Sequence, residues 1–232
     1  MTTIHQQNKQ IHPLRPLVVP TIALVLFLAI IPFIPVMKTL DNAIIQVVHL
    51  LPLGYNNFSL GISVLGSTPF VFTIAVIVSI YELIRRRWIR ASVIILSILA
   101  LPAFYILKTV IHRARPITDF VIQNGLHDYS FPSGHATGSA AIYGMIVFLV
   151  LSDDLMNAKL KRVIVTACLV LIVAIGISRV YLGAHFPSDV IGGWLLALFV
   201  VSLLRSLSLY LVKRYDKPVS EAVPTPTDTA QV

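Results

Sequence analysis

Apolar residues along this chain gather into six long blocks, at about 17–37, 64–84, 91–111, 136–152, 163–182 and 188–210. A helix needs about 20 mainly apolar residues to cross the hydrocarbon core of a bilayer, and each block approaches or meets that length. The pattern predicts an all-α polytopic membrane protein with six transmembrane helices in one bundle. Pro102 falls inside the third block, where a kink is expected. Arg205 lies far along the sixth, within reach of the interface by snorkelling. Residues 38–63 break the rhythm. There Leu40, Ile44, Val47, Val48 and Leu51 recur near helical spacing, with Asp41, Gln46 and His49 between them. That fits either a helix lying in the interface plane or an ordinary loop. The expected organisation is a cytoplasmic segment 1–16, a six-helix domain 17–212 and a disordered tail 213–232 rich in Pro, Thr and Ala.

Composition agrees with this division. The 232 residues are 56% hydrophobic and only 12% charged, with a mean hydropathy of +0.85; soluble domains carry about 25% charged residues. A net charge of +8 would suit nucleic acid if the cations shared a surface, but they cluster in connections. Arg85, Arg86, Arg87 and Arg90 share one, Lys159, Lys161 and Arg162 another, and Lys213, Arg214 and Lys217 follow the last block. Positive charge marks cytoplasmic loops, so both termini are expected inside and connections 38–63, 112–135 and 183–187 outside. No nucleic-acid partner is expected; the bilayer is the partner. The single cysteine, Cys168, allows no intrachain disulfide. The first block is full length with no small-residue cleavage site after it, as in a retained span.

Two of the outward connections are rich in Arg, His and Asp, on the side where positive charge is normally scarce. Lys108, Arg115 and Pro116 close the third block, Pro132-Ser133-Gly134-His135 opens the fourth, and Ser178-Arg179 with His185 and Asp189 joins the fifth to the sixth. Span parity brings all three clusters to one membrane face. Together they suit a phosphoryl group. Lys108, Arg115 and Arg179 supply cations and donors. Pro132 fits the first turn of the fourth helix, whose amides near Ser133 and Gly134 would face an anion, with the Ser133 hydroxyl as a further donor. One turn separates His185 from Asp189, close enough to fix the ring tautomer and free the other nitrogen for attack on phosphorus. His135 would protonate the departing oxygen.

These clusters resemble the tripartite signature of the type 2 phosphatidic acid phosphatase family: Lys-x6-Arg-Pro, Pro-Ser-Gly-His and Ser-Arg-x5-His-x3-Asp. Every defining position is filled at the family spacing. The resemblance implies that Lys108, Arg115, Ser133, Gly134 and Arg179 bind phosphate, that His185 becomes a phosphohistidine oriented by Asp189, and that His135 is the acid. It also implies catalysis without metal or cofactor. Arg113 and His112 are flanking positions of the first cluster, and Asp119, His127 and Asp128 are placed to line an entrance. Gly134 and Gly138, four apart, suit close helix packing.

The substrate class is then a lipid or isoprenoid phosphate whose tail stays in the bilayer: undecaprenyl diphosphate, phosphatidylglycerol phosphate or phosphatidate. The compact size resembles bacterial members, which implies the inner membrane with the site facing outside. Two alternatives remain. A lipid phosphotransferase would use the same residues, and a transporter of phosphate-bearing anions would need charge through the midplane. The sequence sets no oligomeric state.

Overall fold

The computed structural model describes residues 15–51, 58–99, 101–117 and 129–215. The expected cytoplasmic start, the tail beyond residue 215, and Asp119, His127 and Asp128 lie outside the described residues.

Every regular element among the described residues is helical. The chain opens with α1 (Arg15–Ile30), a short 3-10 turn (Ile31–Phe33) and α2 (Ile34–His49). Pro32 and Pro35 stand where two backbone amides would otherwise be needed, which tightens the ladder without ending it. Pro16–His49 is a 34-residue candidate span, about 50 Å at helical rise, longer than the hydrocarbon core. Of the two readings open for residues 38–63, the helical one holds as far as His49. The helix continues the first apolar block instead of forming a separate element. Then come α3 (Phe58–Val64) and α4 (Thr68–Ile84), bent by 48° against each other.

The third block is helical on both sides of residue 100, which lies outside the described residues. It is carried by α5 (Trp88–Leu99) and α6 (Leu101–Ile111). Pro102 lies in the helical stretch just after residue 100. The chain ends with α7 (Gly134–Leu151), α8 (Ala158–Tyr181) and α9 (Pro187–Tyr215). Among the described residues, four helices are long and apolar enough to cross a membrane, or five if α3 and α4 count as one. This supports membrane-protein character.

The central helix is α7, whose span is 67% buried inside the protein against 17%, 33% and 28% for the other three. It packs on α8 and α9, while α1 lies along α9. Its small residues explain the enclosure: Ala136, Ala140 and Ala141 let neighbouring helices approach. Outward faces stay apolar, with Val36, Ile84 and Val110 largely exposed, as lipid contact requires.

The two basic connections meet at one end of α7. Asp153, just past its C-terminus, accepts from Arg87 at 2.8 Å and lies 3.4 Å from Arg85, and Arg90 donates to the Ser152 carbonyl at 2.9 Å. The Arg87 hydrogen bond holds the Asp153 carboxyl down to about 2. Arg205 lies over the Phe148 ring near the same end, 5.7 Å from its centroid. The candidate site is at the other end of α7, 18 residues away, or about 27 Å.

Candidate active site

The N-terminus of α7 is built by Phe131, Pro132 and Ser133. The Phe131–Pro132 peptide is cis, and Ser133 is the N-cap, its oxygen accepting from the Ala136 amide at 3.4 Å. Pro132 therefore precedes the cap and does not sit in the first turn. The Ser133 amide donates to the Asp189 carbonyl at 3.0 Å, so this amide is committed to the protein. The Thr137 amide donates to the Ser133 carbonyl at 2.9 Å. The anchoring surface is α9, where Gly192 and Gly193 permit contact. A Cβ on Gly192 would stand 2.5 Å from the Phe131 ring, and one on Gly193 3.0 Å from the Ser133 carbonyl oxygen. Gly134 is different. A Cβ there would meet no atom within 4 Å, because its backbone fronts a cavity.

The turn between α8 and α9 carries the second half of the site. Gly183 adopts φ 65°, a conformation that favours glycine, and the amides of Ala184 and His185 both donate to the Arg179 carbonyl, at 3.1 and 3.2 Å. This folds His185 back under the end of α8. Pro187 opens α9 and leaves Asp189 in its first turn. Asp189 Oδ2 accepts from the Phe186 amide at 2.9 Å, the reach-back half of a capping box, and stands 3.5 Å from His185 Nδ1.

Lys108 is in the last turn of α6 and is buried. Arg115 follows in the loop, donating through Nη1 to the Ala184 carbonyl at 2.7 Å and lying 3.3 Å from His185 Nε2. A guanidinium can only donate, so Nε2 accepts and the ring proton belongs on Nδ1, toward Asp189. Arg179 is buried, its Nη1 donating to Ser63 Oγ at 2.6 Å. Ser178 bonds locally to the Ile175 carbonyl at 2.7 Å.

His185 is almost fully buried. Burial, then the charges of Arg179, Arg115 and Lys108, push its pKa well below the usual imidazole value, with the Ser130 carbonyl pulling the other way. His135 lies within electrostatic reach of Arg179, His185, Lys108 and Arg115. The structure thus brings Lys108, Arg115, Ser133, Gly134, His135, Arg179, His185 and Asp189 to one end of the bundle. Among the described residues, no three His, Cys, Asp or Glu side chains are arranged to hold a metal ion. A neutral imidazole among three cations suits an anion as its reaction partner.

A cavity of about 630 Å³ opens beside this cluster, lined by Val71, Phe72, Ile98, Phe104 and Tyr105 together with Lys108, Pro132 and Gly134. Gly138 lines it too, so Gly134 and Gly138 shape a cavity wall where close helix packing was expected.

Residues 90–213 match the PAP2 superfamily, more than half of the chain. The chain belongs to the PAP2 superfamily. This is a phosphatase family, and the named relatives act on lipid phosphates. The chain is 32% identical over 167 residues to the phosphatidylglycerophosphatase B of Bacillus subtilis, covering 71% of this chain and 76% of that one. It is 32% identical over 120 residues to an undecaprenyl-diphosphatase of Sulfolobus acidocaldarius, half of this chain and 53% of that one. A crystal structure of the transmembrane PAP2-type phosphatidylglycerolphosphate phosphatase from B. subtilis superposes with a TM-score of 0.72 at 29% identity, covering 85% of this chain and 98% of that chain.

Within this PAP2 chain the site also draws on residues outside 90–213. Ser63 holds Arg179, and His49 donates through Nε2 to the Tyr181 carbonyl at 3.0 Å. Asp41 is buried at 2% exposure. In the sequence it stood only as one of the polar residues, with Gln46 and His49, between the apolar positions of residues 38–63. Arg113, a flanking position by motif, is buried and bonds Asp189. His112 is exposed, its ring 4.5 Å from Tyr129.

Proposed function

We propose that this chain hydrolyses a lipid or isoprenoid phosphate through a covalent phosphohistidine on His185. The observation that carries the reading is the orientation of His185, with Nε2 facing Arg115 at 3.3 Å and Nδ1 facing Asp189 at 3.5 Å. That is the arrangement of an activated nucleophile with its orienting carboxylate.

Lys108, Arg115 and Arg179 neutralise the phosphate oxygens. Ser133 adds a hydroxyl donor, and the backbone at Gly134 allows close approach. On binding, a phosphate oxygen takes over the Arg115 N–H that Nε2 now accepts, which frees the ring lone pair. Nε2 then bonds to phosphorus while the bond from phosphorus to the lipid oxygen breaks. His135 gives that oxygen its proton, and Asp189 stabilises the developing imidazolium through Nδ1–H. In the second half, His135 removes a proton from water, water attacks phosphorus, and the N–P bond breaks to release phosphate. No metal or cofactor enters this scheme.

The cavity beside Lys108 and Gly134 takes the start of the substrate tail, since its walls are apolar except at the phosphate end. Undecaprenyl diphosphate and phosphatidylglycerol phosphate are the leading substrates, in line with the relatives' names, and phosphatidate is the third. The basic connections at the opposite end of α7 favour cytoplasmic termini and an active site facing outside, with α5 and α6 together completing a sixth crossing. Purified protein in EDTA should release phosphate from this three-substrate panel, ranked by kcat/KM. Absence of phosphate release from all three, or full activity in His185→Ala, would reject the reading.

A further inference from the structure

Behind Asp189 lies a buried cluster whose other members, Asp41, Arg113 and Ser188, the scheme above does not use. Arg113 Nη1 donates to Asp189 Oδ1 and, at 2.7 Å, to Ser188 Oγ; Nη2 donates to Asp41 Oδ2 at 2.7 Å. Asp41 also accepts from the Ser188 amide at 2.9 Å and from the Ser188 hydroxyl at 2.6 Å. The Arg113 guanidinium lies over the Phe186 ring, 4.2 Å from its centroid. Asp41, Arg113, Ser188 and Asp189 are all less than 10% exposed.

We infer that Asp41, acting through Arg113 and Ser188, is a positioning residue that selects which Asp189 oxygen faces His185 and tunes the basicity of that carboxylate. The inference rests on the phosphohistidine reading. Arg113 occupies Oδ1 of Asp189 and leaves Oδ2 toward the imidazole. A guanidinium shared with no second carboxylate would bind Asp189 more strongly and weaken its pull on the ring proton of His185. Asp41 divides that charge. Its other oxygen satisfies an amide in the first turn of α9, a group without an intrahelical partner, and so fixes the turn that carries Asp189. Removing one member of a buried charge set leaves the rest uncompensated. The consequence is directional: Asp41 lies in α2, outside the region matched to the family, yet it governs the chemical step.

The groups facing His185 are Lys108 from α6, Arg115 from the following loop, His135 from α7, Arg179 from α8 and Asp189 from α9, with Arg113 and then Asp41 of α2 behind Asp189. Deleting the Asp41 charge makes a protonated His185 less favourable, so the acid limb of the pH profile moves to lower pH while the plateau falls.

The experiment compares wild type, His185→Ala, Asp41→Asn and Asp41→Glu, each folded by thermal melt in detergent, on phosphatidylglycerol phosphate and undecaprenyl diphosphate. Asp41→Asn is expected to lower kcat at least about tenfold with KM within about threefold, on the scale of indirect ligand-orienting contacts, and to shift the acid limb downward. Asp41→Glu restores the charge and returns the limb to the wild-type position. If Asp41→Asn does not fold, Arg113→Lys carries the test, since it cannot bridge two carboxylates; the same kcat loss at unchanged KM is expected. Wild-type kcat and an unmoved acid limb in Asp41→Asn overturn the inference, as does wild-type kcat in Arg113→Lys. Equal activity of wild type and His185→Ala overturns the phosphohistidine reading itself, so the two failures are distinguishable.

Discussion

The Arg115 guanidinium stands 3.3 Å from His185 Nε2 while donating to the Ala184 carbonyl at 2.7 Å. One side chain therefore assigns the tautomer of the imidazole and holds the loop that carries it. Arg115→Ala should lower kcat/KM about 10²- to 10³-fold, the scale of losing one preorganised donor. Arg115→Lys should recover part of this, because it keeps the charge but loses the planar fork. Steady-state kinetics on a lipid phosphate checks both, and wild-type kcat/KM in Arg115→Ala would contradict the assignment.

Burial and three neighbouring cations keep His185 neutral well below the ordinary imidazole range. Protonation would block attack, so the acid limb of kcat/KM for the free enzyme should fall below about pH 6.5. The same depression acts on stability. Unfolding lets His185 bind a proton that the folded state refuses, so stability is full above about pH 6.5 and falls as pH drops below it. Thermal melts of His185→Gln should lose part of that acid-side slope.

A Cβ at Gly134 meets no protein atom within 4 Å, so Gly134→Ala should fold with a melting temperature at or above wild type, alanine being favoured in a helix by about 1 kcal/mol. The methyl group would project toward the bound phosphate and raise KM about tenfold, since every 1.4 kcal/mol of lost binding is about a factor of ten. Unchanged KM would remove Gly134 from the phosphate site.

Gly193 behaves oppositely. A Cβ there would press to 2.9 Å from Thr137 Oγ1 and 3.0 Å from the Ser133 carbonyl, so Gly193→Ala should cost about 1–3 kcal/mol of stability. Because those contacts seat the start of α7, activity should fall as well. Denaturation in detergent measures the first and phosphate release the second.

Much of this was legible in the sequence, for identifiable reasons. Apolar blocks at membrane length predicted helices wherever the block was uninterrupted, as in α7, α8 and α9. The one-turn spacing of His185 and Asp189 across the start of the sixth block matches the fold, in which α9 opens at Pro187 with Asp189 in its first turn. Pro132 was placed in the first turn of α7, whereas Ser133 is the cap and the helix starts at Gly134. What pattern could not supply was partnership across the chain. Asp41 and Ser63 sit 72 and 116 residues from Arg113 and Arg179, and no spacing rule links such residues. Arg113 itself appeared as a flank because the motif names the residues that touch phosphate, not those that hold the holders.

The account stands most directly on a covalent bond between phosphorus and His185. Substrate carrying a radiolabelled terminal phosphate should be mixed with enzyme, quenched in alkali within one turnover, and the label mapped by proteolysis. Label on the peptide containing His185, stable to alkali, lost in acid and absent from His185→Ala, is the expected result. Label on any other residue, or undiminished turnover with no labelled protein, would contradict it.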